Sequence, residues 1–134
     1  MIPVIDLFAG PGGLGEGFSS LLDESNKPAF QTIMSIEKDP QAHKTLRMRS
    51  YVRKILNDDG SIPQVYLRYM RNRDSKTWEE LIDYRPNQWE LACKEALCAT
   101  LVEGDNSLVE LASKRLNVWR SKNDRHAPLV LIGG

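Results

Sequence analysis

The N-terminal third of the chain alternates short apolar runs with polar turns. Residues 4–8 are apolar apart from Asp6 and stop at a cluster of glycines, which predicts a buried strand followed by a tight turn. Residues 30–36 predict a second strand. Between the two, large apolar side chains recur at helical spacing and predict a helix that ends at Lys27-Pro28: Leu14, Phe18, Leu21 and Leu22.

The middle of the chain is predicted to be helical. Asp39-Pro40 is a typical helix start, with aspartate at the N-cap and proline in the first turn. The helix predicted over residues 41–54 carries five basic side chains and no acidic one. After a turn at residues 57–60, three further helices are predicted: one over 64–72, one from the capping box Thr77-x-x-Glu80, and one that follows Pro86 and continues past residue 95.

The C-terminal third returns to strand and helix. Residues 99–102 predict a short strand, and Ser107-x-x-Glu110 predicts the capping box of another helix. The apolar residues 129–132 predict a last strand, which two glycines follow. Strands that alternate with helices favour an α/β fold with a parallel sheet. We therefore predict one domain over residues 1–134, with about four parallel strands and a helical insertion at residues 57–95.

Composition narrows the class of protein. The 134 residues carry 18 basic and 18 acidic side chains, and 41% of them are hydrophobic, which is typical of a globular domain. The N-terminus lacks the basic and apolar regions of a signal peptide, and two cysteines form no disulfide framework. These features predict a cytoplasmic protein. Two histidines without a Cys-x-x-Cys pair argue against a zinc site.

The first turn carries the most specific chemistry. Gly10, Gly12 and Gly15 satisfy the pattern Gly-x-Gly-x-x-Gly between a predicted strand and a predicted helix. Glu37 ends the second predicted strand about 20 residues after the last glycine, where an acid accepts hydrogen bonds from ribose hydroxyls. A cofactor that contains a nucleoside is therefore expected at this turn.

The segment Asp-Leu-Phe-Ala-Gly-Pro-Gly-Gly at residues 6–13 resembles the first motif of the DNA (cytosine-5) methyltransferases, which bind S-adenosylmethionine. The resemblance implies a partial Rossmann-like methyltransferase fold. It places Phe8 near the adenine and Glu37 at the ribose, with Lys38 beside the adenine. The rest of the turn then passes the methionine part of the cofactor, a segment made up of Ala9, Gly10, Pro11, Gly12 and Gly13.

Two later segments extend the resemblance. Gly104-Asp105 resembles the third motif of the family, which implies that Asp105 accepts from the adenine amino group, while Asn106 replaces the usual apolar residue. Residues 129–134 resemble the strand that leads to the Pro-Cys nucleophile motif. Cys93 and Cys98 lack that context and are expected to be small core residues. The resemblance thus implies the N-terminal part of an enzyme that acts on double-stranded DNA, inactive as this chain alone.

Alternatives stay open on three points: the function of the site, the role of the basic residues and the environment of the last strand. The glycines and Glu37 also fit a fragment of an NAD-dependent oxidoreductase, and a non-catalytic remnant that binds the cofactor without turnover fits as well. The basic side chains of residues 44–54 form either a solvated face or contacts to a DNA backbone. Residues 129–132 are expected to lie at a sheet edge and to mediate self-association, unless the insertion covers them.

Overall fold

The computed structural model describes residues 1–133 and contains a four-stranded sheet in which all neighbouring strands are parallel. The strand order is β3-β2-β1-β4. The chain runs outward from β1 to β2 and β3 and then returns to the other side of β1 to form β4, so the strand order reverses between β1 and β4. The α/β class and the parallel sheet predicted from the sequence are confirmed, and Gly134 lies outside the described residues. The strands are β1 (Ile2–Leu7), β2 (Phe30–Glu37), β3 (Ala96–Cys98) and β4 (Val130–Gly133).

Helices cover both faces of this sheet. Ile5 and Ile36 lie on the face that packs against the last helix, whereas Asp6 and Ala96 face the first two helices. Because strand side chains alternate between faces, the two central strands β1 and β2 are buried on both sides. The helices are α1 (Gly13–Ser19), α2 (Pro40–Asp59), α3 (Gln64–Asn72), α4 (Ser75–Tyr84), α5 (Pro86–Glu95) and α6 (Ser107–Lys122).

Helices α3 to α5 follow α2 and pack at the β3 side of the sheet, away from β4. Their core forms around Tyr51 of α2, which is fully buried and whose hydroxyl donates to the Leu81 carbonyl at 2.6 Å. Trp89 meets the Tyr51 ring edge-on at 5.4 Å between centroids. These helices do not cover β4, so the alternative that the insertion covers residues 129–132 is wrong.

The position of β3 corrects a prediction. The strand expected at residues 99–102 lies at Ala96–Cys98, directly after α5. Lys94 and Glu95, together with the alanine and leucine that follow, are good helix formers, so local propensity extended the helix too far. Parallel pairing with β2 decides the outcome, since Ala96 aligns with Ser35 and Cys98 with Glu37.

The first helix is shorter than predicted. Its apolar spacing extends to Leu21 and Leu22, but α1 ends at Ser19 and both leucines are about half exposed. The chain instead forms a bridge between Leu22 and Pro28, and Phe18 packs edge-on against Phe30. A turn of the chain toward β2 therefore replaces the last helical turn.

Both predicted capping boxes are also wrong. Helix α4 begins earlier, and Asp74 rather than Thr77 provides the cap, by accepting from the Thr77 N–H at 2.7 Å. Helix α6 has Asn106 at its N-cap position, and Ser107 is its first helical residue. At α4 the Asp74 carboxylate takes the capping role from the Thr77 hydroxyl, whereas at α6 Asn106 occupies the N-cap position without a side-chain hydrogen bond.

Candidate functional site

The glycine turn, residues 8–13, folds back over the end of β2. The Ala9 N–H donates to the Ile36 carbonyl at 2.9 Å, and the Gly12 N–H donates to the Ala9 carbonyl at 2.9 Å. Gly12 has a φ of 89° and lies against α2, where an added Cβ would come within 2.8 Å of Leu46 Cδ1. The positive φ therefore favours glycine at position 12, whereas a Cβ there would displace only the end of the Leu46 side chain.

Phe8 opens the turn in an unfavourable conformation. Its φ is 58°, in the left-handed region that bulky residues avoid, at a cost of about 1 kcal/mol or more. Its side chain is 57% exposed. An added Cβ at Gly133 would lie 2.8 Å from the Leu7 carbonyl oxygen and 3.7 Å from the Phe8 ring, so the end of β4 closely flanks this aromatic side chain. An exposed ring held in a strained backbone at the β1–β4 reversal is typical of a binding position.

Glu37 connects the end of β2 to the glycine turn. Its carboxylate is buried and accepts from the Gly10 N–H and from the Asp39 N–H, each at 2.7 Å. Asp39 then caps α2 by accepting from the N–H groups of Gln41 and Ala42, as predicted. Glu37 thus fixes the glycine turn and the start of α2 relative to each other.

The remaining predicted site residues are exposed. Lys38 follows Glu37, and its carbonyl lies 3.9 Å from the Cys98 thiol. Asp105 accepts from the Ser107 N–H at 2.9 Å, and the hydrogen bonds from Ser107 lower its pKa. Within residues 1–133 no hydrogen bond joins Asp105 or Asn106 to the glycine turn or to Glu37. The structure therefore brings together residues 8–13 and Glu37, whereas Asp105 makes a local turn on a surface loop.

Asp6 is a buried carboxyl to which the sequence pattern assigned no role. It is 1% exposed, and neither oxygen has a hydrogen-bond partner within the described part of the chain. Burial raises its pKa to about 6, against a smaller opposite effect of the Gly15 N–H. Its Oδ2 would lie 3.0 Å from a Cβ at Gly15, so this glycine allows α1 to approach β1. In the sequence, its burial is indicated by its position as the one acid within the apolar residues 4–8.

The basic residues of α2 divide into two groups. Arg53 and Lys54 pair with the buried Glu95, each at 2.5 Å, and Arg53 also pairs with Glu16. Arg49, by contrast, lies beside the glycine turn, with its Nη1 3.9 Å from the position of a Cβ on Gly13. Arg53 and Lys54 are therefore neutralised within the fold and do not belong to a solvated face.

Comparisons of this chain with protein-family models, with curated proteins and with solved structures found no match. No helix within residues 1–133 is long and apolar enough to cross a membrane.

Proposed function

We propose that this chain is the S-adenosylmethionine-binding part of a DNA (cytosine-5) methyltransferase. The observation that carries the proposal is the contact between Glu37 and the Gly10 N–H, because it unites the two motifs that the resemblance assigns to the cofactor. The two lie at the carboxyl edge of the sheet, next to the reversal between β1 and β4. Open α/β sheets bind their ligands at such a reversal.

The residues present fit the nucleoside part of the cofactor. Each Glu37 oxygen accepts one backbone N–H, so lone pairs remain for ribose hydroxyls. The exposed Phe8 ring offers an apolar face for adenine. No atom of residues 1–133 lies within 4 Å of the position of a Cβ on Gly10, so the described backbone there is open to a ligand. When bound, S-adenosylmethionine supplies an electrophilic methyl group on its sulfonium.

The cysteines of this chain do not supply the nucleophile of the family. Cys98 ends β3, which β2 and β1 separate from β4. Cys93 lies in α5 and is half-buried. Because the resemblance places the nucleophile after β4, we expect residues 1–134 to bind the cofactor without transferring a methyl group. DNA is the substrate that the resemblance implies.

The first test of this proposal is calorimetric titration of the chain with S-adenosylmethionine and, separately, with NAD. We expect S-adenosylmethionine to bind and Glu37→Gln to weaken binding about 10- to 100-fold, since one charged acceptor contributes roughly 1.5–3 kcal/mol. The matched control is Glu24→Gln, on an exposed turn. Circular dichroism confirms that each variant is folded.

The possible outcomes separate the alternatives. Binding of NAD in place of S-adenosylmethionine would assign the turn to a dinucleotide and overturn the proposal. Failure of the folded chain to bind either cofactor would show that residues 8–13 and Glu37 do not form the site. Equal effects of the two substitutions would contradict the role of Glu37 at the ribose.

A further inference from the structure

A second candidate site lies between α2, α3 and α4. These helices enclose an open cavity of about 670 Å³, which is within the usual size of small-molecule sites. Four of its lining residues are basic, and none is acidic: Lys44, Arg47, Arg49 and Arg73. Apart from the neighbourhood of Arg49, the cavity is separate from the glycine turn.

The basic side chains of this cavity remain without ion-pair partners among residues 1–133, although Arg49 lies close enough to Glu16 to favour the charged form of that carboxyl. None of its four basic side chains forms an ion pair with an acidic residue in the described part of the chain, in contrast to Arg53 and Lys54 on the same helix. The Arg47 guanidinium stacks on Trp89 at 4.7 Å, and its Nε is buried without a hydrogen-bond partner. Such a donor favours an acceptor supplied by a ligand.

Aromatic side chains form another wall of the same cavity. Tyr69 and Trp78 line it with their ring centroids 5.4 Å apart, and Tyr66 lies on the same helix as Tyr69. Trp78 also meets Trp89 edge-on at 5.3 Å, so the wall is braced against the core of the helical region. Preorganised aromatic rings beside unpaired cations are typical of sites where nucleic-acid bases stack and phosphates are held.

We propose that this cavity binds a nucleoside phosphate unit of single-stranded DNA, with the phosphate on the basic side chains and the base against the aromatic wall. Stacking suits any base, so the site gives little sequence preference. The inference rests on the proposed function only in its choice of DNA as the source of the nucleotide. A free nucleotide offers the same chemistry, and the test distinguishes the two.

The test is fluorescence anisotropy of a labelled oligothymidylate, with quenching of tryptophan fluorescence as the second readout. The cavity variant is Lys44→Gln/Arg73→Gln. The matched control is Arg71→Gln/Lys76→Gln, which removes the same charge from exposed positions outside the cavity on α3 and α4. Thermal unfolding followed by circular dichroism verifies that both variants fold.

We expect the oligonucleotide to bind and to quench tryptophan fluorescence, because Trp78 lines the cavity. The cavity variant should reduce the slope of log K against log salt by about 1.4, at roughly 0.7 for each lost phosphate contact on a single strand. The control should leave the slope unchanged. Thymidine monophosphate that binds as tightly as the oligonucleotide, with the same dependence on Lys44 and Arg73, would support the nucleoside phosphate site and identify a free nucleotide as its source.

Other outcomes would overturn the proposal. Absence of binding by both the oligonucleotide and the mononucleotide is one of them. Equal losses in the cavity and control variants would show general electrostatic attraction instead of a site. Titration of the cavity variant with S-adenosylmethionine separates this inference from the proposed function, since cofactor binding should persist when the cavity is altered.

Discussion

Asp6 places a carboxyl group inside β1, where the Gly15 N–H offsets only part of the cost of its burial. Because its pKa is raised from 3.8 to about 6, the folded state binds more protons than the unfolded state between these values. The free energy of unfolding should therefore decrease as pH rises from about 4 to about 6. We predict that Asp6→Asn removes this loss and stabilises the protein above pH 6 by at most about 3 kcal/mol. Urea unfolding at several pH values measures the difference.

Asp23 provides a control with the opposite sign. Hydrogen bonds from the Lys27 and Ser25 N–H groups lower the pKa of this exposed carboxyl. Its contribution to stability is therefore present at neutral pH and is lost in acid, so Asp23→Asn should destabilise the protein at pH 7. A stability difference for Asp6→Asn that does not change between pH 4 and pH 7 would contradict a raised pKa at that position.

At this scale the position of Glu37 beside the glycine turn could be predicted from the sequence, whereas the local turn of Asp105 could not. Glu37 is the last residue of β2, which pairs with β1 as far as Ile36, so its position at the glycine turn was predictable. Asp105 lies in a loop whose path depends on where β3 begins. Its carboxylate accepts a hydrogen bond from the Ser107 N–H, and no hydrophobic pattern predicts this local turn.

The helix ends show how local hydrogen bonds contribute at the level of elements. Asp39 accepts two N–H groups at the start of α2, whereas Asn106 holds the N-cap position of α6 without a side-chain bond. We predict that Asp39→Ala lowers the free energy of unfolding by about 1 kcal/mol and that Asn106→Ala changes it by a few tenths at most. Urea unfolding of both variants at pH 7 compares them. Equal losses would contradict the assigned caps.

Most elements, but not their boundaries, could be predicted from the sequence. The helix predicted at residues 64–72 coincides with α3, whereas α2 extends five residues beyond the predicted range. Periodicity reports which faces are apolar, and it continues across a boundary until a breaker such as Gly60 interrupts the chain. No glycine or proline lies in residues 87–95, directly before β3, so only the pairing with β2 defines where β3 begins.

The arrangement of the whole sheet leaves β4 at one edge. Its inner side pairs with β1, and its outer side has no strand partner within residues 1–133. The strand is apolar, and Leu131 is 60% exposed. An apolar edge with unpaired N–H and carbonyl groups favours pairing with another chain. Alternation of strands and helices predicted the parallel sheet, and the edge position expected for residues 129–132 is confirmed. The order of the other strands follows from long-range packing that a local pattern does not contain.

We therefore predict that this chain self-associates through β4. In sedimentation velocity, the wild type should shift from monomer to dimer as its concentration rises, because two such edges can share backbone hydrogen bonds. Leu131→Lys should remain monomeric at the same concentrations, since like charges would meet at the paired edge. Val118→Lys is the matched control, because it places the same charge on an exposed apolar position of α6, whose backbone groups are already bonded within the helix. A wild type that stays monomeric throughout, or an equal effect of the two lysines, would contradict pairing at this edge.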